Sequence, residues 1–174
     1  MNKRLKLRQI LLFAVLSAAA VWLDQFTKHL ALLFLGDHGP VVLIPGVLEF
    51  LRIENNGAAF GILKGHMAFF YAITAFVGLI VLYVLVKLPT ERKYMPLLVI
   101  LSFISAGAAG NFIDRVVRRS VVDFIYFVPI DFPVFNVADI FVTCSTALLV
   151  ILVLFYYQES DFDFLKDGAR EKKP

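Results

Sequence analysis

The chain has 174 residues, 60% hydrophobic and 18% charged, with a mean hydropathy of +0.80. An ordinary soluble domain is about 45–50% apolar, so this composition excludes a conventional water-soluble fold and leaves one membrane-embedded unit. The net charge of +3 does not point to nucleic acid, because the basic residues sit at the ends of apolar runs and form no face interleaved with aromatics.

Lys3, Arg4, Lys6 and Arg8 precede an apolar run, as at the start of a secretory signal, and Ala18–Ala20 resembles a cleavage site. The helical pattern nevertheless continues through Trp22, Leu23, Phe26 and Leu30, so a retained first span is expected over 10–35. Further spans are expected over 67–88, 94–113 and 134–157, each long enough for a hydrocarbon core that needs about 20 residues. The expected architecture is an all-α membrane protein of four transmembrane helices, a single domain over 1–174.

Four spans place tails 1–9 and 158–174 on one side and loops 36–66 and 114–133 on the other. Eleven of the 17 Lys and Arg residues lie in the tails or beside the turn between spans two and three. The two long loops hold Arg52, Lys64, Arg115, Arg118 and Arg119, and Lys28 lies within the first span. By the positive-inside rule the tails are cytoplasmic and the long loops face outward. The last fifteen or so residues are charged and read as frayed.

In the first outer loop, Val41–Ile44 and Val47–Ile53 flank Pro45-Gly46, which predicts a small extracytoplasmic β-hairpin or cradle. Residues 55–61, Asn-Asn-Gly-Ala-Ala-Phe-Gly, read as a turn-prone connector. The single cysteine, Cys144, excludes an internal disulfide and reads as a small packed helix residue.

The topology brings polar residues to one end. Asp24 and Lys28, spaced i and i+4 on one helical face, lie in the outer half of the first span. Asn111, Asp114 and Arg115 close the third. Asn136 and Asp139, spaced i and i+3, open the fourth, and Asp123 lies in the loop between them. Ionisable groups beside membrane-grade sequence are costly to desolvate, so they mark a functional site.

The plainest readings are an ion pair for Asp24 and Lys28, an interfacial pair for Asp114 and Arg115, and bonds to loop backbone for Asn111 and Asn136. Asp131, beside Pro133, reads as a solvated turn residue. Asp139 is harder to treat as structural, because it lies one turn inside a span with no basic residue within four positions.

Two carboxylates close together in a low-dielectric site cannot both ionise, so one holds a proton while the other stays charged. Such a pair suits amide hydrolysis by water. On the residues alone, Asp114 and Asp123 remain rival partners for Asp139. His29, His38 and His66 show no ligand spacing, HExxH and G-x-S-x-G are absent, and no Gly-rich nucleotide motif occurs. A small acid-lined transporter and a non-catalytic membrane scaffold are the alternatives, although transport sites usually lie near the midplane.

Five blocks occur in order: Asp24-Gln25-x-x-Lys28, Asn55-x-Gly57-Ala58-Ala59-Phe60, Gly110-Asn111-x-x-Asp114-Arg115, Val121-Val122-Asp123-Phe124 and Phe135-Asn136-x-Ala138-Asp139. In these the chain resembles the lipoprotein signal peptidases, the type II signal peptidases of bacteria. The resemblance implies an aspartic endopeptidase of the inner membrane that needs no metal or other cofactor. It would cleave signal peptides from diacylglyceryl prolipoproteins, just before the lipidated cysteine. It implies a catalytic dyad at Asp123 and Asp139, supported by Asp24, Lys28, Asn55, Gly57, Asn111, Asp114, Arg115, Asn136 and Ala138. It also implies membrane lipid as a partner, globomycin-type inhibitors, a monomeric state and a β-cradle over Gly36–Asn56.

Overall fold

The computed structural model describes residues 2–36, 39–57 and 66–166. Among these are four long helices: α1 (Lys3–Phe34), α2 (Met67–Lys87), α3 (Met95–Arg118) and α4 (Val137–Phe155). Three strands, β1 (Val41–Ile44), β2 (Leu48–Asn55) and β3 (Val121–Phe127), form one antiparallel sheet in the order β1-β2-β3. All four helices are long and apolar enough to cross a bilayer, and they carry exposed apolar side chains such as Phe76, Leu79, Leu154 and Phe155. The chain is a multi-pass membrane protein.

Helix α3 is the hub and packs against α1, α2 and α4. Its Ala106-Gly107-Ala108-Ala109-Gly110 stretch lets neighbouring elements approach closely. A Cβ on Gly107 would lie 2.5 Å from the Ala138 carbonyl oxygen and 2.6 Å from Val142 Cγ2, and one on Gly110 would strike the Asp24 carboxylate. The start of α4 and the polar face of α1 therefore seat against α3 only because these positions lack side chains.

The predicted hairpin forms, but the sheet has a third member. Strand β3 pairs with β2 across the register Leu48↔Phe127, Ile53↔Asp123 and Asn55↔Val121. After β3 the chain turns and returns alongside it. The Phe135 carbonyl accepts from Phe124 N (3.0 Å) and Ile125 N (2.9 Å), and Phe135 N donates to the Ile125 carbonyl (3.0 Å). That return delivers Asn136, the N-cap of α4, beside β3.

Helix α3 also runs further than its expected end at 113. It stops at Arg118, where Arg119 adopts a left-handed conformation (φ 62°). Asp114 and Arg115 are thus helical residues rather than members of a loop.

One bundle end carries the sheet. The opposite end gathers the start of α1, the α2–α3 turn and the exit of α4. There Lys6 Nζ donates to the carbonyls of Leu85 (2.6 Å) and Leu88 (2.9 Å), and the Tyr157 hydroxyl donates to the Lys93 carbonyl (3.0 Å).

Two expectations fail at this stage. The tail does not fray directly after α4: Glu159–Leu165 forms a 3-10 helix docked on the bundle, and residues 167–174 of the tail lie outside the described residues. Phe162 and Phe164 pack on Tyr157 and Tyr94, and Lys93 pairs with Asp161, because aromatic rings among the acids supply the apolar contact that charge alone lacks. Cys144 is exposed rather than packed, because the inward face of α4 at this level is taken by buried Ser145.

Candidate active site

At the sheet end the polar residues expected to form a site, from Asp24 to Asp139, fall within one connected cluster, and Asp131 lies outside it. The cluster is built from α1 outward. Asp24 and Lys28, one turn apart and both buried, form an ion pair of 2.9 Å. Lys28 Nζ also meets Asp114 Oδ2 at 3.1 Å and donates to Asn111 Oδ1 at 2.8 Å. An ammonium has three protons, and these three partners use all of them.

Asp114 therefore pairs with Lys28 and not with Arg115, its neighbour in sequence. Consecutive helical residues point about 100° apart and do not face one another. Both carboxylates also tie down backbone: Asp24 Oδ1 accepts from Ala138 N (2.9 Å) and Asp114 Oδ2 from Val122 N (3.2 Å). One holds the first turn of α4 and the other holds β3.

The amides form the next layer, and they bond to side chains rather than to loop backbone as expected. Asn111 Oδ1 is occupied by Lys28 and by Asn136 Nδ2 (3.1 Å), which directs Asn111 Nδ2 to Asp139 Oδ1 at 2.8 Å. Asn136 Nδ2 also reaches Asp123 Oδ1 at 2.6 Å. Its Oδ1 accepts from Asp139 N (3.1 Å), while Asp139 Oδ2 accepts from Asn136 N (3.1 Å). This reciprocal pair is a capping box at the start of α4.

Asn55 Nδ2 donates to Asp123 Oδ2 at 2.9 Å. The sheet register explains the contact. Asn55 lies opposite Val121, and Asp123 is its diagonal neighbour on the same face.

Asp123 and Asp139 thus come from different elements, β3 and α4, and are linked through Asn136. Both line a cavity of about 300 Å³ together with Asn55, Asn111, Arg115, Thr143 and the Phe132–Phe135 segment. Asp123 is 3% exposed. Its burial, and then the nearby Asp139 charge, push its carboxyl up to about 6, against the opposing bonds from Asn55 and Asn136 and the charge of Lys28. Beside the pair, Arg115 lies over the Phe70 ring at 4.2 Å and donates to the carbonyls of Asn111 (3.3 Å) and Gly57 (3.4 Å).

The two rivals for Asp139 have different surroundings. Asp114 is engaged by Lys28, Gln25 and the Val122 amide, whereas Asp123 opens on the cavity that Asp139 shares. Asp131 is exposed at a left-handed turn position (φ 49°) and accepts a 2.7 Å bond from the Tyr126 hydroxyl. Ala58, Ala59, Phe60 and Gly61 lie outside the described residues.

Gln25 was not singled out as a site residue. Its Nε2 donates to Asp24 Oδ2 (3.1 Å), the Gly110 carbonyl (3.1 Å) and Asp114 Oδ1 (3.4 Å), bridging the two acids that hold Lys28. The available signal was its position next to Asp24 on a span, where an amide needs partners as much as a charge does.

The chain is similar to known proteins. The chain is 38% identical to a lipoprotein signal peptidase of Enterococcus faecalis over 161 residues, covering 92% of this chain and 96% of that one. It is 43% identical to a lipoprotein signal peptidase of Caldanaerobacter subterraneus over 142 residues, covering 81% and 94%. A bacterial membrane enzyme solved by the in meso method at 2.3 Å resolution superposes with a TM-score of 0.73 at 32% identity, covering 93% of each chain. The family model described as signal peptidase (SPase) II matches residues 16–155, a range that contains the whole cluster from Asp24 to Asp139. The chain belongs to the signal peptidase II family.

Proposed function

We propose that the chain is an aspartic endopeptidase that removes the signal peptide from a diacylglyceryl-modified prolipoprotein, cleaving before the lipidated cysteine, with Asp123 and Asp139 as the catalytic pair. Removal of signal peptides from prolipoproteins is the activity of its family; a transporter or an inert scaffold is not favoured. One observation carries the aspartic chemistry: two carboxylates from separate elements meet in one cavity, each held, among the described residues, by neutral amides rather than by a paired cation.

In this reading Asp123 holds the proton and Asp139 is the base. Asp139 takes a proton from a water whose oxygen attacks the scissile carbonyl carbon, while the Asp123 proton passes to the carbonyl oxygen. In the collapse, Asp139 returns its proton to the departing amine nitrogen and Asp123 recovers one from the hydroxyl. The C–N bond breaks, one water is consumed, and both carboxyls end as they began.

Asp24, Lys28, Asp114, Asn111, Asn136 and Asn55 act as positioning residues, and Ala138 supplies the backbone amide that Asp24 holds. Arg115 lines the cavity and would meet the substrate, steadied by its bond to the Gly57 carbonyl. Globomycin-type peptides would block the reaction by filling the cavity. We place the site at the outer face of a bacterial inner membrane, both termini in the cytoplasm, because the basic residues concentrate at the opposite end. The reading takes the protein as a monomer.

The test is a gel-shift assay with a lipidated prolipoprotein. Asp123→Asn and Asp139→Asn should each lower turnover roughly 100- to 10,000-fold while the protein stays folded in detergent. Normal turnover by either variant would sink the assignment. The pH profile gives a second reading. A proton-donating Asp123 makes kcat/KM fall as pH rises through its pKa in the free enzyme, about 6. Bound substrate excludes water and moves the corresponding limb of kcat higher. A profile that rises through pH 6 would assign the proton to the other carboxyl.

A further inference from the structure

A second concavity of about 400 Å³ lies against the sheet, between Leu51 and Ile53 of β2 and the segment Phe132–Val134. That segment also lines the catalytic cavity, so the groove and the candidate active site share a wall. Tyr126 and Asp131 stand at its polar side.

We propose that this groove binds the first residues of the mature lipoprotein, those that follow the lipidated cysteine, and that Asp131 makes it select basic over acidic side chains there. The proposal rests on the peptidase reading of the neighbouring cavity.

A substrate held across Asp123 and Asp139 leaves the site in two directions. Its signal segment is apolar and belongs with the spans, on the side where Asn111, Asp139 and Thr143 of α3 and α4 line the cavity. Its mature segment is water-soluble and must leave past Phe132–Val134, which leads onto the groove beside the sheet. An extended chain advances about 3.3 Å per residue, so a few residues span such a groove.

Among the described residues the groove's one charged lining side chain is an acid, Asp131. Asp131 is exposed and accepts only the Tyr126 hydroxyl among the described residues, and Glu49 lies opposite Tyr126 in the sheet register. Arg52, between Leu51 and Ile53 in sequence, is taken up by Glu54. A lysine or arginine entering the groove therefore finds acids, and an aspartate or glutamate is repelled.

The experiment compares kcat/KM for three lipidated prolipoproteins with Lys, Ser or Asp at the second and third mature positions. The wild-type protein should rank Lys above Ser above Asp, with a Lys-to-Asp ratio of roughly two- to five-fold, as suits a solvent-exposed charge. The ratio should shrink in 0.5 M salt, where the Debye length drops to about 4 Å. Asp131→Asn should bring it toward one, and Asp131→Lys should invert it; Glu49→Gln should lower it less.

A wild-type ratio of one, or a ratio unchanged in Asp131→Asn, overturns the groove assignment while cleavage itself keeps the peptidase reading intact. If the variants do not fold, the salt dependence of the wild-type ratio decides alone. A wild-type protein that cleaves none of the three substrates overturns both readings.

Discussion

Helix α1 buries a lysine near each end, and the two are housed in opposite ways. Lys28, at the sheet end, sits between two carboxylates and an amide oxygen. Lys6, at the other end, donates to Gln9 Oε1 (2.8 Å) and to the carbonyls of Leu85 and Leu88, with no carboxylate among its described partners. Those carbonyls belong to the C-terminal end of α2, where the helix dipole is negative and favours a cation.

At Lys6 the cation closes a helix terminus, and the arrangement is complete. At Lys28 the cation organises acids and an amide, and the amide carries that order to Asp139. A buried charge that ends on backbone is a fastening. One that ends on other polar side chains sets their direction.

Substitution can break the contrast. The largest effect is expected for Lys28→Met. It strands two buried carboxylates, and removing one partner of a buried ion pair costs about 3–5 kcal/mol. Thermal unfolding in detergent should show this. The residual folded protein should turn over more slowly as well, because Asn111 Oδ1 loses the partner that fixes its orientation. Unchanged turnover per folded molecule would show that Asn111 is oriented by Asn136 alone.

Lys6→Met should cost less, about 1–3 kcal/mol for the lost charge-assisted bonds, and should leave kcat/KM per folded molecule unaltered. A catalytic defect there would erase the distinction between the two ends. The smallest effect is expected for Asp161→Asn. Its pair with Lys93 is solvent-accessible, so the melting temperature should barely move, and less still in high salt.

The four spans were legible because hydrophobic run length is a local property, and the i, i+3 and i, i+4 spacings placed the right side chains on common faces. What escaped depends on partners distant in sequence. Val121–Phe127 is β-prone by composition, but its pairing with β2 crosses all of α2 and α3, and no local pattern marks Ile53 as the residue opposite Asp123.

Asp114 looked paired with Arg115 because they adjoin. Its actual partner is 86 positions away, on another helix. Lys6 counted toward the basic tail, yet α1 begins at Lys3 and turns that side chain inward. The docked Glu159–Leu165 segment could have been found from Phe162 and Phe164, since rings in a charged tail need somewhere to be buried.

The capping box of α4 ties helix geometry to chemistry. Under the proposed mechanism Asp139 is at once a base and the third residue of its helix, its Oδ2 accepting from Asn136 N. A carboxyl that has just taken up a proton is a weaker acceptor than a carboxylate. Each turnover would therefore briefly slacken the lid of the helix and tighten it again when the proton departs with the amine. Asn136 also touches Asp123, so that slackening would reach the second carboxyl through one side chain. The first turn of α4 would then act as a ratchet, its grip on the site recording whether the proton has been delivered.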